Sequence, residues 1–159
     1  MSITVRGMVP LIQVFDMPES LRFYCDKLGF TLVDGAGPEG DMGWAMLRLC
    51  VPEGHAAAAG NASATNKEML HAHCIELMLN TQYELHERPP QRDPARTAAH
   101  ADTALYFGCP DVPAAFAHMR AAGLDVKPPY VTGYGFDAVD VTDPDGYVIS
   151  FHWPAKKPG

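Results

Sequence analysis

The side chains able to do chemistry fall in a few short runs of this sequence. "CIELMLN" (74–80) sets one carboxylate, Glu76, among apolar neighbours, and "WAMLRLCV" (44–51) sets Arg48 in the same way. "DPDGYVISFHWP" (143–154) carries Ser150 and His152 two residues apart, and "HAHC" (71–74) carries His71 and His73. In an extended chain, residues two apart share a face and lie ~6.6 Å from each other. Carboxylates and imidazoles that converge can ligate a divalent ion or move protons. A carboxylate facing a guanidinium forms an ion pair instead, and a buried Glu76 would need such a partner in Arg48. For the histidines, a surface or core-edge role is the plainer expectation. No Gly-x-Ser-x-Gly elbow and no glycine-rich phosphate loop occurs. Cys74 and Cys109 lack an activating neighbour in sequence. The "DPDG" turn is no calcium loop, because Val141 and His152 stand where that motif needs acids.

Such side chains need strands to aim them, and the strands come in two matching sets. "VFDMPESLRFYCDKLGF" (14–30) and "CPDVPAAFAHMRAAGL" (109–124) both open on Asp-x-Pro and both end at a glycine. Met17, Leu21, Tyr24 and Leu28 keep helical spacing in the first, as do Val112, Phe116, Met119 and Gly123 in the second. Asp16 and Asp111 are expected helix N-caps, with Glu19 completing a capping-box-like pattern. A strand-like run precedes each helix: "MVPLIQVF" (8–15) and "TALYFGC" (103–109). Three follow each: "FTLVDG", "WAMLRLCV" and "CIELMLN", then "LDVKPP", "FDAVDV" and "YVISFHW". The repeated order is βαβββ, so the fold class is α+β with two tandem βαβββ modules. The expected division is a first module over 1–80 with a loop insertion at 52–70, a linker over 81–102, and a second module over 103–159. The insertion is read as a surface loop, with a pocket lid as the sharper alternative.

These motifs resemble the vicinal oxygen chelate superfamily: glyoxalase I, extradiol dioxygenases and bleomycin-resistance proteins. The likeness rests on the Asp-x-x-x-Ser-x-x-Phe-Tyr-x-x-x-Leu-Gly-Phe run, on "IELML", and on "VTDPDGYVISF". It implies a curved half-barrel sheet whose concave face holds the site, often within a homodimer. In metal-dependent relatives, the first and last strands of each module supply four ligands. Carried onto this sequence those positions are Val9, Glu76, Leu105 or a neighbour within one residue, and Ser150. Only Glu76 suits a metal ion, and one carboxylate does not hold a transition metal against water. No metal and no cofactor are therefore expected.

Strand alternation assigns the ligand face. Gln13, Trp44, Arg48, Glu76, Met78, Asn80, Phe107, Ser150 and His152 are the expected ligand-binding residues, with Leu105 beside Phe107 and Tyr134 of "YVTGYGF" (130–136) at the mouth. An apolar cup with a few polar groups suits a small organic ligand. The best reading is a metal-independent binding protein resembling the bleomycin-resistance branch. One alternative is a glyoxalase- or dioxygenase-like lyase or oxidoreductase with a displaced metal site on Glu76 and a histidine. Another is a non-catalytic interaction module.

Composition narrows the partners. The 159 residues carry a net charge of −7, which argues against nucleic acid. No apolar run reaches the ~20 residues of a membrane-spanning helix. "MSITVRGMVPLIQVF" lacks an export-signal pattern, and the four cysteines show no CxxC pair. A cytoplasmic protein with reduced thiols is the expectation.

Overall fold

The computed structural model describes residues 8–38, 42–50, 74–81, 83 and 87–155. The expected insertion at 52–70, with His71 and His73, lies outside the described residues. Two four-stranded mixed sheets form, each with one helix between its first and second strands. In the first, β1 (Leu11–Val14) precedes helix α1 (Met17–Leu21), which continues through Lys27 in π-helical turns. Then come β2 (Thr31–Ala36), β3 (Trp44–Cys50) and β4 (Cys74–Thr81). Helix α2 (Pro94–His100) lies in the expected linker. The second sheet follows as β5 (Ala104–Gly108), α3 (Val112–Ala121), β6 (Tyr130–Val131), β7 (Phe136–Thr142) and β8 (Val148–Pro154). The strand orders are β1-β4-β3-β2 and β5-β8-β7-β6, with the first pair of each parallel and the rest antiparallel. The expected duplicated βαβββ architecture is therefore present.

The capping logic holds where the sequence placed it. The Asp16 carboxylate accepts from the Glu19 amide at 2.9 Å, and Asp111 accepts from Ala114 at 2.9 Å. Glu19 departs from its expected role: its carboxylate binds the Arg92 guanidinium instead of closing a capping box. "LDVKPP" forms no strand. Leu124 and Val126 are buried in the core, and the module's second strand is the short β6 that follows. The paired prolines explain this, since Pro128 and Pro129 cannot donate to a ladder.

One core runs through both modules on the helix side of the sheets. It joins Met17 and Tyr24 to Leu47, Leu77 and Leu79, and Met119 to Val139 and Ile149. The opposite, open face of each sheet carries polar side chains, Arg48 and Glu76 on the first and Asp140 and His152 on the second.

The cysteine expectation needs correction. Cys50 and Cys74 are direct cross-strand partners in the β3–β4 register and are joined by a disulfide. Their separation of 24 residues matches no short motif. The pairing arises from strand register, which sequence spacing does not reveal.

Candidate functional site

Alternation divides the first sheet cleanly. Ala45, Leu47, Leu77 and Leu79 are fully buried under the helix. The next residues along point the other way, where the register sets Trp44 opposite Asn80, Met46 opposite Met78 and Arg48 opposite Glu76. β1 adds Leu11 beside Met78 and Gln13 beside Asn80. Six expected site residues, Gln13, Trp44, Arg48, Glu76, Met78 and Asn80, therefore share the open face. Arg48 donates from Nε and Nη2 to Glu76 Oε1, at 2.9 and 2.6 Å. With the two side chains 40% and 32% exposed, this pair adds little stability. Its consequence is chemical: the one carboxylate at a superfamily metal position already has a cation on it.

The second sheet corrects the face assigned on β5, although Leu105 and Phe107 both border the cavity at the sheet junction. Tyr106, not Phe107, is the register partner of Ser150, while Phe107 pairs with Phe151 and Leu105 with Ile149. Phe107 and Leu105 thus belong to the core side, where Phe107 packs against Phe30 and Phe151 with ring centroids 6.1 and 5.7 Å away. Nothing in "ALYFG" alternates in polarity, so hydropathy cannot set its parity. The duplication could have set it. Val9 lies seven residues before the capping Asp16, and the same offset from Asp111 lands on Ala104. That choice puts Ala104 and Tyr106 on the open face.

Ser150 and His152 stand there as expected. The His152 ring meets Tyr106 edge-on at 5.2 Å and stacks on Phe136 at 5.2 Å. Phe136 and Asp140 reach the same face from β7, with Asp140 directly opposite Ser150. Tyr134 lies on the turn before β7, exposed, its ring 5.4 Å from Phe136. Tyr130 on β6 donates its hydroxyl to Asp140 Oδ2 at 2.8 Å. That hydrogen bond heads the causes that push the Tyr130 phenol up to about 12. Ser150 Oγ and His152 Nδ1 are buried without a hydrogen-bond partner among the described residues. Tyr106, Tyr130 and Asp140 were missed as site residues; Tyr106 was lost to the parity error, and the Tyr130–Asp140 pair depends on β6, which starts later than expected.

Where the two sheets meet, a cavity of about 640 Å³ opens between the segment leading into β1, Arg48 of β3, the start of β4, and β5. Val9, Arg48, Glu76, Ala104 and Tyr106 are among its walls, as is the core-side Phe107. Three of the four superfamily ligand positions therefore border one space. The donors do not fit a divalent ion: the aliphatic Val9 just before β1, alanine and tyrosine on β5, and a carboxylate held by arginine. Among the described residues no three His, Cys, Asp or Glu side chains assemble into a metal-sized group. Among the described residues no displaced site forms on Glu76 and His152, because His152 is held between Tyr106 and Phe136 and Glu76 by Arg48; His71 and His73 lie outside the described residues. The two free thiols, Cys25 and Cys109, are both pushed up by burial, so neither is an activated nucleophile.

The "DPDG" turn supports this site in a way its turn chemistry does not disclose. Asp143 and Asp145 are buried and reach into the first module. Asp145 Oδ1 accepts from the Phe15 amide and from Arg92 Nε, both at 3.1 Å. Asp143 Oδ2 accepts from the Tyr24 hydroxyl at 2.9 Å. Asp143 Oδ1 accepts from the Asp145 and Tyr147 amides at 3.0 and 2.8 Å. His100 stacks on Tyr147 at 4.2 Å. The turn thus ties the start of β8, and with it Ser150 and His152, to β1 and α1. Its carboxylates were legible only as turn formers because their partners lie as far as 130 residues away.

The sequence matches the family described as Glyoxalase/Bleomycin resistance protein/Dioxygenase superfamily over residues 7–151. No curated protein matches it. Among solved structures it is similar to TnmS3, an antibiotic binding protein from Streptomyces sp. CB03234. That likeness has 20% identity and a TM-score of 0.60, covering 97% of this chain and 100% of that one. A glyoxalase/bleomycin resistance protein/dioxygenase from Nocardioides aligns at 14% identity and a TM-score of 0.60, covering 99% and 89%. Virulence protein STM3117 from Salmonella typhimurium aligns at 17% identity and 0.54, covering 97% and 100%. At these identities the likeness is one of fold.

Proposed function

Because the chain belongs to the glyoxalase/bleomycin resistance protein/dioxygenase superfamily, we propose that it binds a small organic molecule on the open face of its sheets without a metal ion, as the bleomycin-resistance branch does. The observation that carries this reading is the Arg48–Glu76 pair in the wall of the 640 Å³ cavity. In a metal-dependent site that carboxylate would face an ion; here it faces a guanidinium. A cavity of this size with apolar walls and a few polar groups suits a drug-sized ligand. The antibiotic-binding description of TnmS3 supports the choice of a binding role on this fold.

The test has two parts. The purified protein is loaded with Ni, Mn, Fe and Zn in turn, dialysed, and its metal content counted. No ion should be retained. A stoichiometric ion lost in Glu76→Ala would overturn the reading in favour of glyoxalase or dioxygenase chemistry. A thermal-shift screen of small organic molecules should then find ligands whose stabilisation grows with the logarithm of concentration above Kd. Absence of any stabilising ligand would favour a face that serves only as an interaction surface.

A further inference from the structure

The two halves of the open face differ in charge and in aromatic content, and the difference names a ligand class. In the first module the Glu76 charge is neutralised by Arg48. In the second, the four strands themselves hold no lysine or arginine, Arg120 and Lys127 lying in α3 and the segment after it, while Asp140 stands on the open face opposite Ser150. Tyr130 is bonded to that carboxylate, Tyr106 lies beyond Ser150 on β5, and Tyr134 lies on the turn before β7; Tyr106 and Tyr134 are 56% and 62% exposed. The Tyr106 ring lies edge-on to His152. Exposed tyrosine rings on the face of a carboxylate that forms no ion pair among the described residues attract cations, which sit over the negative ring faces. Two polar atoms point to an occupant. Ser150 is 2% exposed, and its Oγ, like His152 Nδ1, is without a hydrogen-bond partner among the described residues. A buried hydroxyl left unpaired costs free energy that a ligand's polar atom would recover.

We propose that the second-module face is a subsite for an organic cation: its alkylammonium group held by Asp140, Tyr130, Tyr106 and Tyr134, and a hydroxyl or carbonyl on its body bonded to Ser150 and His152. This rests on the small-molecule reading above and adds the ligand's charge and the placement of its two ends. The Tyr130–Asp140 hydrogen bond fixes the carboxylate, so the subsite is formed before the ligand arrives.

The test uses a matched pair: (4-hydroxyphenyl)trimethylammonium and its neutral isostere 4-tert-butylphenol, titrated into the protein and followed by the nuclear magnetic resonance signals of the tyrosine rings. The cation should bind at least tenfold more tightly. Asp140→Asn, which keeps an oxygen to accept from Tyr130, should weaken the cation and bring the ratio to within about threefold of unity. Ser150→Ala should weaken both probes alike. Equal binding of the two probes to the unmodified protein would overturn the cation subsite and leave the small-molecule reading standing. A preference that survives Asp140→Asn would overturn it too, because the cation would then be held elsewhere. Binding of neither probe would overturn the cation subsite, and the thermal-shift screen alone would then decide the small-molecule reading.

Discussion

The buried Asp143 makes stability depend on pH in a direction opposite to that of most carboxylates. Burial raises its pKa from 3.8 to about 6, against the lowering effect of the Tyr24 hydroxyl and the Tyr147 amide, with the Asp145 charge raising it further. The folded state therefore holds this proton more tightly than the unfolded chain. Its contribution is fully present below the unfolded value of 3.8 and is lost as pH rises through about 6. Linkage gives a loss on the order of 2 kcal/mol between about pH 4.5 and pH 7.5. Asp143→Asn tests this. The amide oxygen can still accept from Asp145 and Tyr147, and the amide nitrogen can donate to Tyr24. The altered bond to Tyr24 shifts stability by a constant that does not enter the slope. Urea unfolding of both proteins at the two pH values supplies the difference between them. Groups common to both cancel, so the wild-type protein should lose about 2 kcal/mol relative to Asp143→Asn over that interval. Parallel stability curves would refute the reasoning, since Asp143 would then ionise alike in the folded and unfolded chains.

Other outcomes follow from the same contacts. Gly146 has φ of 94°, and a Cβ there would meet the Thr97 carbonyl of α2. Gly146→Ala should therefore lower stability by at least about 2 kcal/mol, measured by urea unfolding. Reducing the Cys50–Cys74 bond, or Cys50→Ser, opens a loop of 24 residues and should cost about 3 kcal/mol by chain entropy, visible as a lower Tm in dithiothreitol. Arg48→Met should change stability by less than about 1 kcal/mol, because the pair it breaks is partly exposed; a larger loss would mean that Glu76 is more deeply buried than its geometry indicates.

The duplication was the most legible feature of the sequence, because it is written in local signals. Each Asp-x-Pro start, helical stripe and terminal glycine reports on a few neighbouring residues. Both capping aspartates behave as their spacing requires. The first-module face was equally legible, since β3 and β4 each interleave polar or bulky residues with small or aliphatic ones. What stayed hidden was non-local. The Cys50–Cys74 contact depends on the β3–β4 register. The Asp145–Phe15 bond spans 130 positions. Glu19 abandons its local role because Arg92, 73 positions away, offers an opposite charge.

The error on β5 shows how the site's two halves are linked. A one-residue slip in a strand exchanges its faces, so placing Phe107 on the open side removed Tyr106 from it. The face then looked apolar at the one edge where it is aromatic and polar. With the parity set by the seven-residue offset from Asp111, β5 presents Ala104 and Tyr106. Tyr106 then has two roles at once. It borders the seam cavity together with Glu76, and it touches His152 on the second-module face. A ligand spanning the open face would have to pass this ring. Tyr106→Ala should therefore weaken both probes of the matched pair, whereas Asp140→Asn should remove the preference for the cation. Unchanged affinity for both probes in Tyr106→Ala would mean that they bind away from the junction of the two modules.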